Sequence, residues 1–279
     1  MTNKFNAKQQ NLVNQFGEIL KFGSTLLSST ELNFTKVRFK KQLLFLVVCA
    51  SQSYSESIFK LLRSEPYFDK ASEVLFRSLV ETFININYIY SGRTQRNAFI
   101  FIIDSIQEQI DFAEKHRSFW NKYPKWNLTF GHIKSPSDWD QFINEKELEI
   151  QKISKRYKYK IPKQIPDIRG RAIIFDEYLK KKKKLSERKS LEKYYVLYYK
   201  FFSQIAHLNS SGLNRFFVTD SNGQQRVMTD GSPEDVERIV SITYQIYFVL
   251  LRFFAKEYKL YKKEDFVQFE KFSKNMLKN

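Results

Sequence analysis

Two rows of polar side chains are set in otherwise apolar surroundings. Arg77, Glu81 and Asn85 recur at steps of four within ASEVLFRSLVETFININYIY, residues 71–90, and Tyr199, Ser203 and His207 do the same within SLEKYYVLYYKFFSQIAHL, residues 190–208. Their types suit phosphate chemistry. A guanidinium at Arg77 would clamp an oxyanion, the His207 imidazole would move a proton, and Tyr199 and Ser203 would orient a substrate, with Glu81 pairing Arg77. That set suffices to cleave RNA without a metal, since the 2′-hydroxyl supplies the nucleophile. The competing expectation is a buried polar network that fixes helix register. Removing one member of such a network costs about 3–5 kcal/mol, so it would look essential without doing chemistry.

Two helices must carry these rows. A step of four drifts about 40° past a full helical turn, so each row is one slowly turning stripe. The first helix carries Val74, Leu75, Phe76, Leu79, Val80, Phe83, Ile84, Ile86 and Ile89 on its remaining sides. A helix that is apolar nearly all round belongs in an interior, so residues 71–90 are expected at the centre of the fold, ending at a glycine cap in Ser91-Gly92. Facing helices build sites in bundles. His207 falls in the last turn of its helix, where the dipole favours the protonated ring.

The rest of the chain is expected to be helical too. Gly and Pro are scarce, at eight and six, and Phe and Tyr abundant, at 27 and 16. Apolar spacing predicts helices over about 3–28, 35–63 and 94–120, with Glu65-Pro66 as a break. Ser135-Pro136 with Asp138 marks the start of a largely polar helix running to about 156, and Ser232-Pro233 starts a long apolar one running to about 258. A short helix is expected over 171–180 and an amphipathic tail over 264–277. Asn222-Gly223 predicts a turn in a small β-hairpin over 216–228. The expected fold is all-α: about seven helices around the buried 71–90 helix, in one domain spanning 1–279, with 137–185 as a basic insertion or arm.

Charge is the second functional signal. The chain carries +17, and residues 151–200 hold 17 Lys/Arg against five Asp/Glu, a net of +12. Such a field attracts polyanions. Lys180, Lys181, Lys182, Lys183, Lys184, Arg188 and Lys189 are the expected nucleic-acid contacts, with RNA favoured. The plainer alternative is a solvated, solubilising face. Trp120, Tyr123 and Trp126 are the right type to stack on bases and equally the right type to anchor a loop to the core.

Several chemistries are not supported. Cys49 is the single cysteine, so neither an intrachain disulfide nor a thiolate cluster can form. The glycines make no phosphate loop and no dinucleotide fingerprint. His116 and His132 are sixteen apart, without acids at metal-ligand spacing, so no metal and no cofactor is expected. Leu43–Ala50 is too short to span a bilayer, and Gln245 and Arg252 interrupt Ile239–Ala255. The N-terminal MTNKFNAKQQN has no apolar signal core. A cytoplasmic protein that does not insert into membranes is expected.

The motif R-S-L-V-E at Arg77–Glu81, followed by Y-x3-S-x3-H at Tyr199–His207 before a small hairpin, resembles a large family of bacterial helical proteins of unknown function, over about residues 40–255. The arrangement is also distantly similar to HEPN ribonucleases, helical proteins whose active site is an Arg four to six residues ahead of a His. That likeness implies a ribonuclease of a defence or toxin type. Positions 200–203 hold Lys200, Phe201, Phe202 and Ser203, so here Arg77 would supply the guanidinium from another helix. The alternative function is a non-enzymatic helical module that binds a protein partner or self-associates.

Overall fold

A computed structural model describes residues 5–30, 39–64, 69–123, 135–186, 189–206, 217–219, 225–227 and 233–276. The fold is all-α. The chain forms two compact units, residues 1–87 with 168–279, and residues 88–167.

The first unit holds α1 (Ala7–Ser28), α2 (Phe39–Arg63), most of α3 (Asp69–Ile89), α6 (Ile168–Lys181), α7 (Leu191–Tyr194), a π-helical segment (Tyr195–Lys200), α8 (Phe201–Ala206), α9 (Pro233–Glu257) and α10 (Lys263–Met276). Asn6 starts α1: its side chain accepts from the Gln9 amide at 2.9 Å, and the Gln9 side chain accepts from the Asn6 amide at 3.1 Å. This reciprocal cap satisfies two donors that a helix start otherwise leaves orphaned.

Helices α1, α2 and α9 pack together on apolar faces. Phe16, Ile19, Leu44, Val48, Ile239, Tyr244, Tyr247 and Leu251 are all buried. At Gly23 the fit is tight: an added Cβ would stand 1.9 Å from the Tyr247 hydroxyl and 2.8 Å from Gln52 Oε1. Glycine is needed there for space. Helix α9 is long and apolar enough to cross a membrane by length and composition, yet 61% of its most apolar stretch is buried.

Two three-residue strands pair antiparallel, β1 (Phe217–Thr219) with β2 (Gln225–Val227), Phe217 opposite Val227. The expected turn at Asn222-Gly223, like the rest of the 216–228 stretch, lies outside the described residues.

The second unit holds the end of α3, α4 (Thr94–Lys122) and α5 (Pro136–Tyr157). Gly92 sits at φ 55°, the left-handed conformation expected of a glycine ending a helix. Asn97 then ties the turn: its Nδ2 donates to the carbonyls of Tyr88 and Ser91, each at 2.8 Å. The Ser135–Asp138 capping box with Pro136 starts α5 as the sequence suggests. The largely polar α5 still contributes core. Trp139 and Ile143 are buried with Ile106, Ile110, Ala113 and Trp120 of α4. Period 3.6 needs only a narrow apolar stripe to seat such a helix. Residues 137–157 therefore belong to this unit, and 168–181 to the first.

Candidate functional site

The stripe on α3 is longer than three residues. Glu73, Arg77, Glu81 and Asn85 succeed one another at steps of four, and within the first unit three of them meet polar groups from three different elements. Arg238 of α9 bonds the fully buried Glu73 carboxylate at 3.1 Å. Arg77 Nη2 donates to the Tyr199 hydroxyl of the π-helical segment at 2.7 Å, and the guanidinium carbon lies 4.6 Å from the centre of the same ring. Arg171 of α6, 3% exposed, donates through Nη1 to Asn85 Oδ1 at 2.7 Å. An interior carboxylate or guanidinium is tolerable only when paired or hydrogen-bonded; each rung supplies one such bond, through Glu73 Oε1, Arg77 Nη2 and Arg171 Nη1.

Aromatic packing holds the rungs in place. Phe76 meets Tyr198 at 6.0 Å and Phe202 at 5.2 Å, both edge to face, and Phe83 meets Tyr194 at 5.5 Å. Tyr195 stacks on Tyr199 at 5.4 Å. A π-helical turn inserts a wider loop of backbone and often sits at functional positions. Here it aims Tyr199 at Arg77. Asp176 of α6 fixes the start of α7, accepting from the Ser190 hydroxyl at 2.6 Å and the Leu191 and Glu192 amides at 2.8 and 3.2 Å.

Burial, with the Glu81 carboxylate adding to it, raises the Tyr199 pKa, and Arg77 only partly opposes the rise. The phenol therefore keeps its proton at neutral pH. Because Arg77 occupies its oxygen as donor, that proton is left to be donated elsewhere. Arg77 Nε is buried and has no hydrogen-bond partner among the described residues. Chemically, the pair offers two donors, one guanidinium N–H and one phenol O–H, beside a carboxylate.

The structure joins Arg77 to Tyr199 and sets the Glu81 carboxylate near enough to raise the Tyr199 pKa. Among the described residues the expected Arg77–Glu81 ion pair does not form: Arg77 turns to the Tyr199 phenol instead. Ser203, half-buried on α8, makes no hydrogen bond among the described residues. His207 lies outside the described residues. Arg171, Glu73 and Arg238 were not singled out in the sequence. Glu73 extends the four-residue spacing and was legible, whereas the two arginines are distant in sequence and carry no local signal.

The basic run is a separate feature. Lys180 and Lys181 end α6, and Lys182–Lys184 form the turn after it, with Lys183 at φ 52°. All five, and Lys189, are exposed, and none makes an ion pair among the described residues. Arg188 lies outside the described residues. In the second unit Trp120 is buried at 9% exposure, as an anchor would be, while Tyr123 is exposed at 41%. His116 stacks on Trp139 with ring centres 5.5 Å apart. Trp126 and His132 lie outside the described residues. No group of His, Cys, Asp and Glu among the described residues is arranged to hold a metal.

These features define an all-α protein with a cross-linked polar ladder on its α3 helix and an exposed lysine run. The chain belongs to the family of unknown function DUF5677, whose model matches residues 41–225. That span includes α3, the π-helical segment and the lysine run. No curated protein and no solved structure matches the chain.

Proposed function

We propose that this protein binds nucleic acid, RNA in preference to DNA, through Lys180–Lys184, Arg188 and Lys189. The observation that supports the reading best is the exposure of six of these cations with no acid engaged to them among the described residues. Lysines committed to ion pairs would be spent on the protein's own surface; uncommitted ones release counterions when they meet phosphate. Single-stranded RNA titrated into the full chain tests this. Affinity that falls steeply between about 50 and 200 mM salt supports it, and salt-independent or absent binding overturns it.

The reading extends to a metal-independent ribonuclease of the HEPN type, acting in defence or as a toxin. Arg77 would clamp the phosphate, Tyr199 and Ser203 would orient the substrate and His207 would transfer the proton, with the Glu81 carboxylate close by. The buried Nε–H of Arg77 supports it, being a donor without an acceptor among the described residues. Loss of RNA cleavage in His207→Ala at an unchanged melting temperature is the expected result; retained cleavage removes the catalytic reading and leaves the binding one. The same reading takes the protein as cytoplasmic, with a hairpin at 216–228 and no membrane insertion.

A second reading rests on the ladder itself. Three rungs contributed by α9, the π-helical segment and α6 are what a register-fixing network requires. On that reading the protein is a non-enzymatic helical module that binds a protein partner or a second copy.

A further inference from the structure

The second unit contains a concavity of about 670 Å³ where the start of α4 meets the turn after α5. Four cations line it: Arg93 and Arg96 from one side, Lys158 and Lys160 from the other. No carboxylate lines it among the described residues, and none of the four cations makes an ion pair or hydrogen bond through its side chain there. Between the two lysines stands Tyr159, half-buried, its ring centre 5.6 Å from that of Phe99. The first turn of α4 adds to the field, since Arg93 provides no side-chain cap and the Thr94 and Gln95 amides have no acceptor among the described residues.

Four like charges around one small volume repel one another, and that arrangement persists at least cost when an anion joins them. A backbone phosphodiester brings one charge per nucleotide along a line, and an extended run such as Lys180–Lys184 suits it. A phosphate monoester brings a charge of about −1.5 to −2 and three peripheral oxygens to a single point, and a concavity ringed by cations suits that. The volume falls in the range of nucleotide-sized ligands, roughly 300–1,000 Å³. Tyr159, fixed from behind by Phe99, supplies an aromatic edge for a base.

We propose that this cleft binds a nucleoside monophosphate, either free or as the 5′-phosphorylated end of an RNA chain, with Arg93, Arg96, Lys158 and Lys160 holding the phosphate and Tyr159 the base. The site shares no residue with the lysine run, so it stands or falls independently of the RNA-binding reading.

The test uses the full chain and an Arg96→Ala/Lys160→Ala variant, with AMP, adenosine and a short RNA carrying either a 5′-phosphate or a 5′-hydroxyl. The expected result is AMP binding at least about tenfold tighter than adenosine, a difference of about 1.4 kcal/mol, lost in the variant while its melting temperature is unchanged. A 5′-phosphate preference that the variant also loses identifies the RNA end as the source; equal binding of the two RNAs identifies the free nucleotide. AMP binding no tighter than adenosine, or unaltered in the variant, overturns the proposal. RNA binding that survives in that case leaves the lysine-run reading standing, and AMP binding without RNA binding does the reverse.

Discussion

Arg77 and Tyr199, 122 residues apart in the chain, are joined by a 2.7 Å hydrogen bond with the guanidinium also lying against the phenol ring. This contact ties α3 to the π-helical segment. Tyr199→Phe keeps the ring and removes only the hydroxyl, and with it the acceptor for Arg77. Net hydrogen bonds to a charged donor contribute about 1.5–3 kcal/mol, and partial exposure puts this one at the lower end. The expected loss is about 1–2 kcal/mol in the urea-unfolding free energy; an unchanged midpoint would show that the bond contributes nothing to the fold.

Alkaline pH should unfold the protein through its tyrosines. Burial raises the pKa of Tyr194, Tyr199, Tyr244, Tyr247 and Tyr258, the last to about 12. In the unfolded chain a phenol ionises near pH 10, so above that pH the unfolded state loses its proton first. Stability is unaffected below about pH 10 and declines as pH rises from there through the folded values. Tyr258, whose hydroxyl donates to the Lys41 carbonyl at 2.7 Å, is the accessible case. Tyr258→Phe should flatten the decline between about pH 10 and 12, read by urea midpoints across that range.

Arg171 is the rung whose removal should cost most. It is 3% exposed and bonds the buried Asn85. Arg171→Leu deletes the charge but abandons the Asn85 carbonyl in an apolar interior, at an expected cost of about 2–4 kcal/mol. If the paired variant with Asn85→Leu recovers much of the loss, the rung acts through satisfaction of polar groups. No recovery would show that Arg171 acts through its other contacts.

Gly23→Ala should be destabilising by about 1–3 kcal/mol, because the new methyl meets the Tyr247 hydroxyl at 1.9 Å. In a Tyr247→Phe background the nearest ring carbon is 2.8 Å away, so the penalty should shrink without vanishing. Additive losses in the double mutant would contradict this account of the α1–α9 approach.

The elements were legible where signals are local. The Ser135-Pro136-Asp138 cap, the Gly92 stop and the spacing along α3 are written within a few residues, and each is present in the structure. The cross-links were not legible. Arg171 and Arg238 lie far from Asn85 and Glu73 in the sequence and differ in nothing local from solvated arginines nearby. The π-helical segment was missed because Tyr195–Lys200 has the composition of any aromatic helix. Its wider turn alters the alignment of Tyr199 with Ser203 that a strict four-residue step implies. The polar α5 looked peripheral because it fully buries only Trp139 and Ile143, with Ile150 and Ile153 half-buried against α4, too sparse a stripe to stand out among its charges.

The RNA-binding account is tested most directly by the salt dependence of single-stranded RNA affinity in the full chain, measured beside a variant with Lys180–Lys184 all changed to Gln. Each lysine neutralising a phosphate contributes about 0.7 to the slope of log affinity against log salt, so the variant should lose up to about 3.5 of that slope and bind more weakly at every salt concentration. Equal slopes for the two proteins would contradict the account.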